Sequence, residues 1–131
     1  MKSVGSEVLL DSTALIDILR GLPDALEQFG ALMEGRFELS TSAINVAEVY
    51  AGMRPGEENL TTSFFNDLRI YPITLDIARR AGILKSSAAR KGRTLGLDDM
   101  LVAAIALERD ILLWTNNRRD FPIDGLRFYP S

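Results

Sequence analysis

The sequence predicts an α/β layer fold, a mainly parallel sheet with helices on both faces, and three observations lead there. Short apolar runs, EVLLD near the start and ILLWT near the end, alternate with longer segments whose apolar residues recur at helical spacing. One such segment, LGLDDMLVAAIALERD, is apolar almost all round beyond its two aspartates and must be buried on most sides. The 131 residues are 47% hydrophobic, enough to build a core around a sheet within one compact domain.

Taken in order, Glu7 to Asp11 reads as a strand that passes into a helix carrying Ala14, Leu15, Ile18 and Leu19. Pro23 opens a second helix, with Leu26, Phe29, Leu32 and Met33 as its apolar positions and Gly35 as its stop. Phe37 to Ser40 is short and strand-like. Thr41 or Ser42 can cap a third helix running to about Met53, on which Ile44, Ala47, Glu48 and Ala51 share a face. After the break at Pro55 and Gly56, a fourth helix is expected over Glu57 to Leu68. Ile70 to Ile73 is a strand that Pro72 confines to an edge or to limited pairing. Thr74 or Asp76 then starts a long basic helix, followed by the buried helix and the ILLWT strand. No internal repeat, linker or low-complexity segment interrupts the series.

Composition excludes several chemistries. With no cysteine and no histidine there are no disulfides, no thiol nucleophile and no imidazole base, so catalysis must run on carboxylates, hydroxyls, lysine or metal. The opening MKSVGSEVLLDS lacks the apolar core of a signal peptide, which makes a cytoplasmic location the expectation. The longest apolar run, Met100 to Leu107, falls far short of the ~18 residues that suggest a membrane span, so no membrane partner is expected.

The net charge of −3 is unevenly spread. Up to Asp76, 12 acids face 5 bases; from Ile77 to Leu97 there are 6 bases (Arg79, Arg80, Lys85, Arg90, Lys91 and Arg93) and no acid. A basic stretch of this kind attracts a polyanion even in an acidic protein, although a solvated helix face would look the same.

Four separated carboxylates stand out. Asp11 lies at the carboxyl end of a strand, where parallel α/β sheets bind ligands, with Thr13 as its hydroxyl companion; helix capping is the competing explanation. Glu48 shares an otherwise apolar helix face, where a carboxylate needs a compensating partner unless its head reaches solvent. Asp98 and Asp99 open the buried helix, where the dipole favours negative charge; spacing does not separate a capping role from a pocket role. The polar loop NNRRDFP follows another strand and, with the Thr115 before it, supplies Asn117 and Asp120, a composition that turn chemistry also explains. Asp17, one turn beyond Thr13, is a weaker candidate. Carboxylates gathered this closely raise one another's pKa unless a cation intervenes, and hard ions such as Mg²⁺ or Mn²⁺ suit oxygen ligands and phosphodiester hydrolysis.

These residues resemble the PIN-domain ribonucleases, especially the toxin component of VapBC-type toxin–antitoxin pairs. LLDSTALIDIL resembles the family's opening Asp motif, NVAEVYAG its Glu helix, DMLVAAIAL its third acidic motif and LLWTNNRRDF its closing Thr-Asn-Asp motif, in that order along nearly the whole chain. In two places the pattern departs: Ser12-Thr13 stands where Thr-Ser is commoner, and Asn116 where a basic residue is frequent.

The resemblance implies a three-layer α/β/α sandwich with a mainly parallel sheet of about five strands, residues 1–131 forming a single PIN domain. It implies a metal-dependent endoribonuclease in which Asp11, Asp99 and Asp120 hold the principal ion and Glu48 helps hold metal or orients the attacking water. Thr13, Asp98, Thr115 and Asn117 would support them, and the basic residues from Arg79 to Arg93 would guide the RNA. A cognate antitoxin, a homodimer partner, and DNA met only through the antitoxin complete the implied partners. Leu22, Leu26 and Phe29, or Tyr50 and Met53, are candidates for the antitoxin's groove, with core packing the stronger reading for most of them. The alternatives are a catalytically silent PIN-like module that binds RNA or protein, and a phosphatase using Asp11 as nucleophile. The latter lacks its expected aspartate at position 13, and neither GxGxxG nor GxxxxGK[ST] occurs.

Overall fold

The structure is a computed structural model that describes residues 6–130. Strand β1 (Glu7–Leu10) leads into helices α1 (Ser12–Leu19) and α2 (Pro23–Glu34), then β2 (Glu38–Ser42), α3 (Ala43–Ala51), α4 (Glu58–Asn66) and β3 (Arg69–Tyr71). Helices α5 (Leu75–Arg90) and α6 (Leu97–Arg109), strand β4 (Leu112–Trp114) and a 3-10 turn (Arg118–Asp120) follow. The strands lie in the order β3-β2-β1-β4, every neighbouring pair parallel.

Alternation along β1 divides the core into two layers. Leu9 joins Met100, Ala103, Ile105 and Leu113 beneath α5 and α6, whereas Val8 and Leu10 join Ala14, Leu15, Ile18 and Trp114 on the opposite side, under α1. All three β1 side chains are fully buried, as befits a central strand covered on both faces. The apolar α6 sinks Met100, Val102, Ala103, Ala104, Ile105 and Ala106 into the core, which explains its near-continuous apolar sequence.

Local signals resolve as chemistry requires. Ser42, rather than Thr41, caps α3 by accepting the Asn45 N–H; Thr41 stays in β2 and donates its hydroxyl to the Leu10 carbonyl at 2.6 Å. Thr74 caps α5 by accepting from the Ile77 N–H, leaving Asp76 in the first turn. Strand β3 ends just before Pro72 and lies at the sheet edge.

The described residues form four strands rather than about five. The fifth position is a single parallel bridge, Leu113 to Phe128, in which the Leu113 N–H donates to the Arg127 carbonyl and the Tyr129 N–H to the Leu113 carbonyl, both at 2.9 Å. Strand β4 is three residues long, and its flanking residues pair with β1, so Leu113 alone presents both backbone groups outward. No helix among the described residues is long and apolar enough to cross a membrane.

From β1 the chain moves outward to β2 and β3, then crosses back to place β4 on the other side of β1. The reversal opens a crevice at the carboxyl ends of β1 and β4, the position where such sheets bind ligands.

Candidate metal centre

Asp11 stands at that crevice, the residue after β1, 5% exposed, with its N–H donating to the Trp114 carbonyl at the end of β4. Its carboxylate caps α1: Oδ1 accepts from the Thr13 N–H (3.0 Å), the Thr13 hydroxyl (2.6 Å) and the Ala14 N–H (3.2 Å). Because all three bonds fall on Oδ1, capping leaves Oδ2 outside the helix end. Burial raises the Asp11 pKa, opposed by the hydroxyls of Thr115 and Thr13 and the backbone amides of Ala14 and Thr13. The Asn116 N–H donates to the Thr13 hydroxyl and the Asn117 N–H to that of Thr115, each at 3.0 Å, which ties the loop after β4 to the start of α1.

Helix α3 contributes the second wall. Ser12 donates to Oε1 of Glu48 at 2.5 Å, and the Asn45 amide donates to the same oxygen at 3.3 Å and to the Ser12 hydroxyl at 3.0 Å. Asn45 is 2% exposed and is itself held by the Ser42 hydroxyl at 2.6 Å. The spacing of three residues that puts Asn45 and Glu48 on one helix face is readable from NVAEV, but the sequence carries no separate signal for the buried Asn45 amide or for the bond from Ser12 to Glu48. Burial raises the Glu48 pKa; the Ser12 bond opposes this, while the nearby Asp98 carboxyl adds to it.

The N-terminus of α6 and the 3-10 turn close the ring. Asp11, Ser12, Thr13, Asn45, Glu48, Asp98, Asp99, Asn117, Asp120 and Phe121 line one cavity of about 240 Å³. Both members of the Asp98–Asp99 pair therefore face it. The N-cap of α6 is Gly96, where an added Cβ would meet Asp98 Oδ1 at 2.6 Å; the absence of a side chain makes room for the carboxylate. Burial first, then the charges of Asp98, Asp120, Asp11 and Glu48, push Asp99 up to about 7.

That electrostatic crowding is the test of fit for a divalent ion. An all-oxygen set of carboxylates, amide and hydroxyls is the donor chemistry that Mg²⁺ and Mn²⁺ accept, and a cation relieves the like-charge repulsion. Among the described residues no three acids stand close enough together to form a preformed cage for an ion.

Some sequence candidates lie elsewhere. Thr115 sits buried behind the cavity wall, and Asp17 accepts from the Asn116 amide. Helix periodicity divides the basic run. Arg80, Lys91 and Arg93 line a depression that shares Phe121 with the acidic cavity, whereas Arg79 and Arg90 border a different groove on α5. Lys85 is engaged with the Leu95 carbonyl. Near the early helices, Met53 and Leu60 border a groove between α1 and the α3–α4 region, and Leu22 and Leu26 are exposed. Phe29 meets Phe64 edge-on, and Tyr50 stacks on Phe65.

The family model for the PIN domain matches residues 8–123. Ribonuclease VapC10 of Mycobacterium tuberculosis is 36% identical over 117 residues, covering 88% of this chain and 86% of that protein. A toxin–antitoxin complex from Klebsiella pneumoniae superimposes with a TM-score of 0.76 at 29% identity, over 91% of this chain and 94% of that one. DNA-bound VapBC from Salmonella typhimurium superimposes with a TM-score of 0.79 at 25% identity, over 93% and 96% of the two chains.

Proposed function

The chain belongs to the PIN-domain family, and from that premise we propose that it is a metal-dependent endoribonuclease, the toxin of a type II toxin–antitoxin pair, with residues 1–131 acting as a single PIN domain. The observation that carries the reading is the cavity in which Asp11, Glu48, Asp98, Asp99 and Asp120 meet, with Asp99 driven up to about 7 by burial and its acidic neighbours. Likeness to a named ribonuclease over most of both chains supports RNA as the substrate.

Asp11, Asp99 and Asp120 are the residues that would hold the ion. When bound, Mg²⁺ or Mn²⁺ neutralises phosphate charge and makes water a competent nucleophile near neutral pH. Glu48, fastened through one oxygen by Ser12 and Asn45, keeps the other to hold metal or to orient the attacking water. Asp98 adds negative charge beside Glu48, and the hydroxyls of Thr13 and Thr115 fix Asp11. Asn117 stands on the rim as a neutral donor toward a phosphate oxygen.

The Klebsiella and Salmonella complexes support a cognate antitoxin as the protein partner, DNA being met through that antitoxin, and a second copy of the chain is the remaining partner. The groove bordered by Met53 and Leu60 is the surface offered to the antitoxin. The deciding experiment incubates purified protein with RNA in Mg²⁺, Mn²⁺ or EDTA beside Asp11→Asn and Asp99→Asn. Cleavage confined to metal-loaded wild type is expected. Equal cleavage by both variants would falsify the assignment, and metal binding without any cleavage would favour a silent binding module.

A further inference from the structure

The carboxylate of Asp17 has no task within its own helix. It lies in the last turn of α1, the end at which a helix dipole disfavours negative charge, and aspartate is a poor helix former. It takes part in no salt bridge among the described residues and does not line the acidic cavity. What it does is accept a hydrogen bond from the side-chain amide of Asn116, 99 positions later in the chain.

Asn116 makes two further bonds to the same helix. Its N–H donates to the Thr13 hydroxyl at 3.0 Å, and its side-chain amide also donates to the Thr13 carbonyl at 3.4 Å. Thr13 and Asp17 are one turn apart on α1, so Asn116 grips a single helical ridge with backbone and side chain together. The Thr13 hydroxyl in turn donates to Oδ1 of Asp11 at 2.6 Å. Asn116 therefore registers the loop after β4 against the residue that also fixes Asp11.

The segment that follows needs such an anchor. The 3-10 turn Arg118–Asp120 is three residues long, its N-cap Asn117 makes no side-chain cap, and its residues are exposed. The Asp120 N–H donates to the Asn117 carbonyl and the Phe121 N–H to the Arg118 carbonyl, both at 2.9 Å, bonds that shape the turn without locating it on the molecule. Phe121, 2% exposed, seats the far end in the core, and Arg118 leans on Phe128 and the Pro130 carbonyl. Asn116 ties the near end to α1, and Asn117 and Asp120 line the cavity between these anchors.

We propose that Asp17 and Asn116 are positioning residues for hydrolysis: their hydrogen bond holds the loop of residues 116–120 against α1 and so sets where Asn117 and Asp120 stand in the acidic cavity. The inference rests on the ribonuclease reading and adds to it a residue outside the cavity. Neither side chain touches the substrate; both act through the loop. The bond needs an acceptor oxygen at position 17 rather than a charge, so a carboxamide there preserves it.

The test is cleavage kinetics of the full chain on a single-stranded RNA in Mn²⁺, with Mn²⁺ affinity measured by calorimetry in the absence of RNA. Asp17→Ala and Asn116→Ala are each expected to lower kcat about tenfold and to weaken Mn²⁺ binding by a similar factor, as loss of a supporting partner does at metal sites, with KM little changed. The double variant should be no worse than the poorer single one, because both substitutions remove the same bond. Asp17→Asn should recover most of the rate and the affinity. A lowered melting temperature with kcat and Mn²⁺ affinity at wild-type values overturns the proposal. So do losses that multiply in the double variant, and so does Asp17→Asn as impaired as Asp17→Ala. Wild type that cleaves no RNA in Mn²⁺ or Mg²⁺ removes the ribonuclease reading instead, while the Mn²⁺ affinities still report whether the bond places the loop.

Discussion

At Asp11 one carboxylate performs two tasks that look like rivals in the sequence: Oδ1 caps α1, and the residue as a whole lines the acidic cavity. Position after a strand is enough to suggest both, because strand ends and helix starts coincide in this architecture. Asn45 was harder to see, since a buried amide that fastens Glu48 has the same sequence appearance as a polar residue near a helix start. Asn45→Leu should lower cleavage ~10–100-fold, as loss of a supporting partner does at metal sites. Affinity for Mn²⁺, measured by calorimetry, should fall with it; unchanged affinity and rate would remove Asn45 from the site. Asp99 makes the pH behaviour specific. Its carboxyl is raised from 3.8 to about 7, so the folded, metal-free protein binds the proton more tightly than the unfolded chain. Its contribution to stability is therefore greatest below the lower value and is lost as pH rises through the upper one. Asp99→Asn should consequently melt a few degrees higher than wild type at pH 8 without metal, while losing cleavage. A lower melting temperature there would contradict the raised carboxyl.

Among the elements, the helices were legible because their apolar periodicity and caps are local. What escaped was phase. Arg79 and Arg80 are neighbours in sequence yet border different grooves, because successive helical residues point about 100° apart. The sheet's far edge was equally illegible, since a one-residue bridge at Phe128 has no pattern to read. Two predictions separate the work of the helix ends. Thr74→Ala should cost α5 its cap and about 1 kcal/mol of stability, read from denaturant unfolding, with cleavage unaffected. Gly96→Ala should do the reverse: its new methyl collides with Asp98 rather than with the core, so cleavage falls with little change in melting temperature. Full activity in Gly96→Ala would mean that Asp98 has room to move without consequence.

Across the whole molecule, the crossover order β3-β2-β1-β4 gathers residues that composition alone leaves scattered, and for that reason the spatial site was predictable only through an ordered set of motifs. Its charge balance links metal to global stability. A ligand that binds only the folded state at 100 times its Kd adds about 2.7 kcal/mol. Melts with and without Mn²⁺ should show a larger upward shift at pH 8 than at pH 5, where protons compete for Asp99; the same shift at both pH values would argue against these carboxyls as the ligands. The pairing of β1 with β4 carries one more consequence. Asp11 and Thr13 meet Thr115, Asn116 and Asn117 across more than 100 residues of chain, and Asp120 comes later still. A growing polypeptide that has emerged from the ribosome only as far as α5 carries Asp11 and Glu48 but none of Asp98, Asp99 and Asp120, so the order in which the strands are synthesised makes the cavity one of the last features of the chain to be completed.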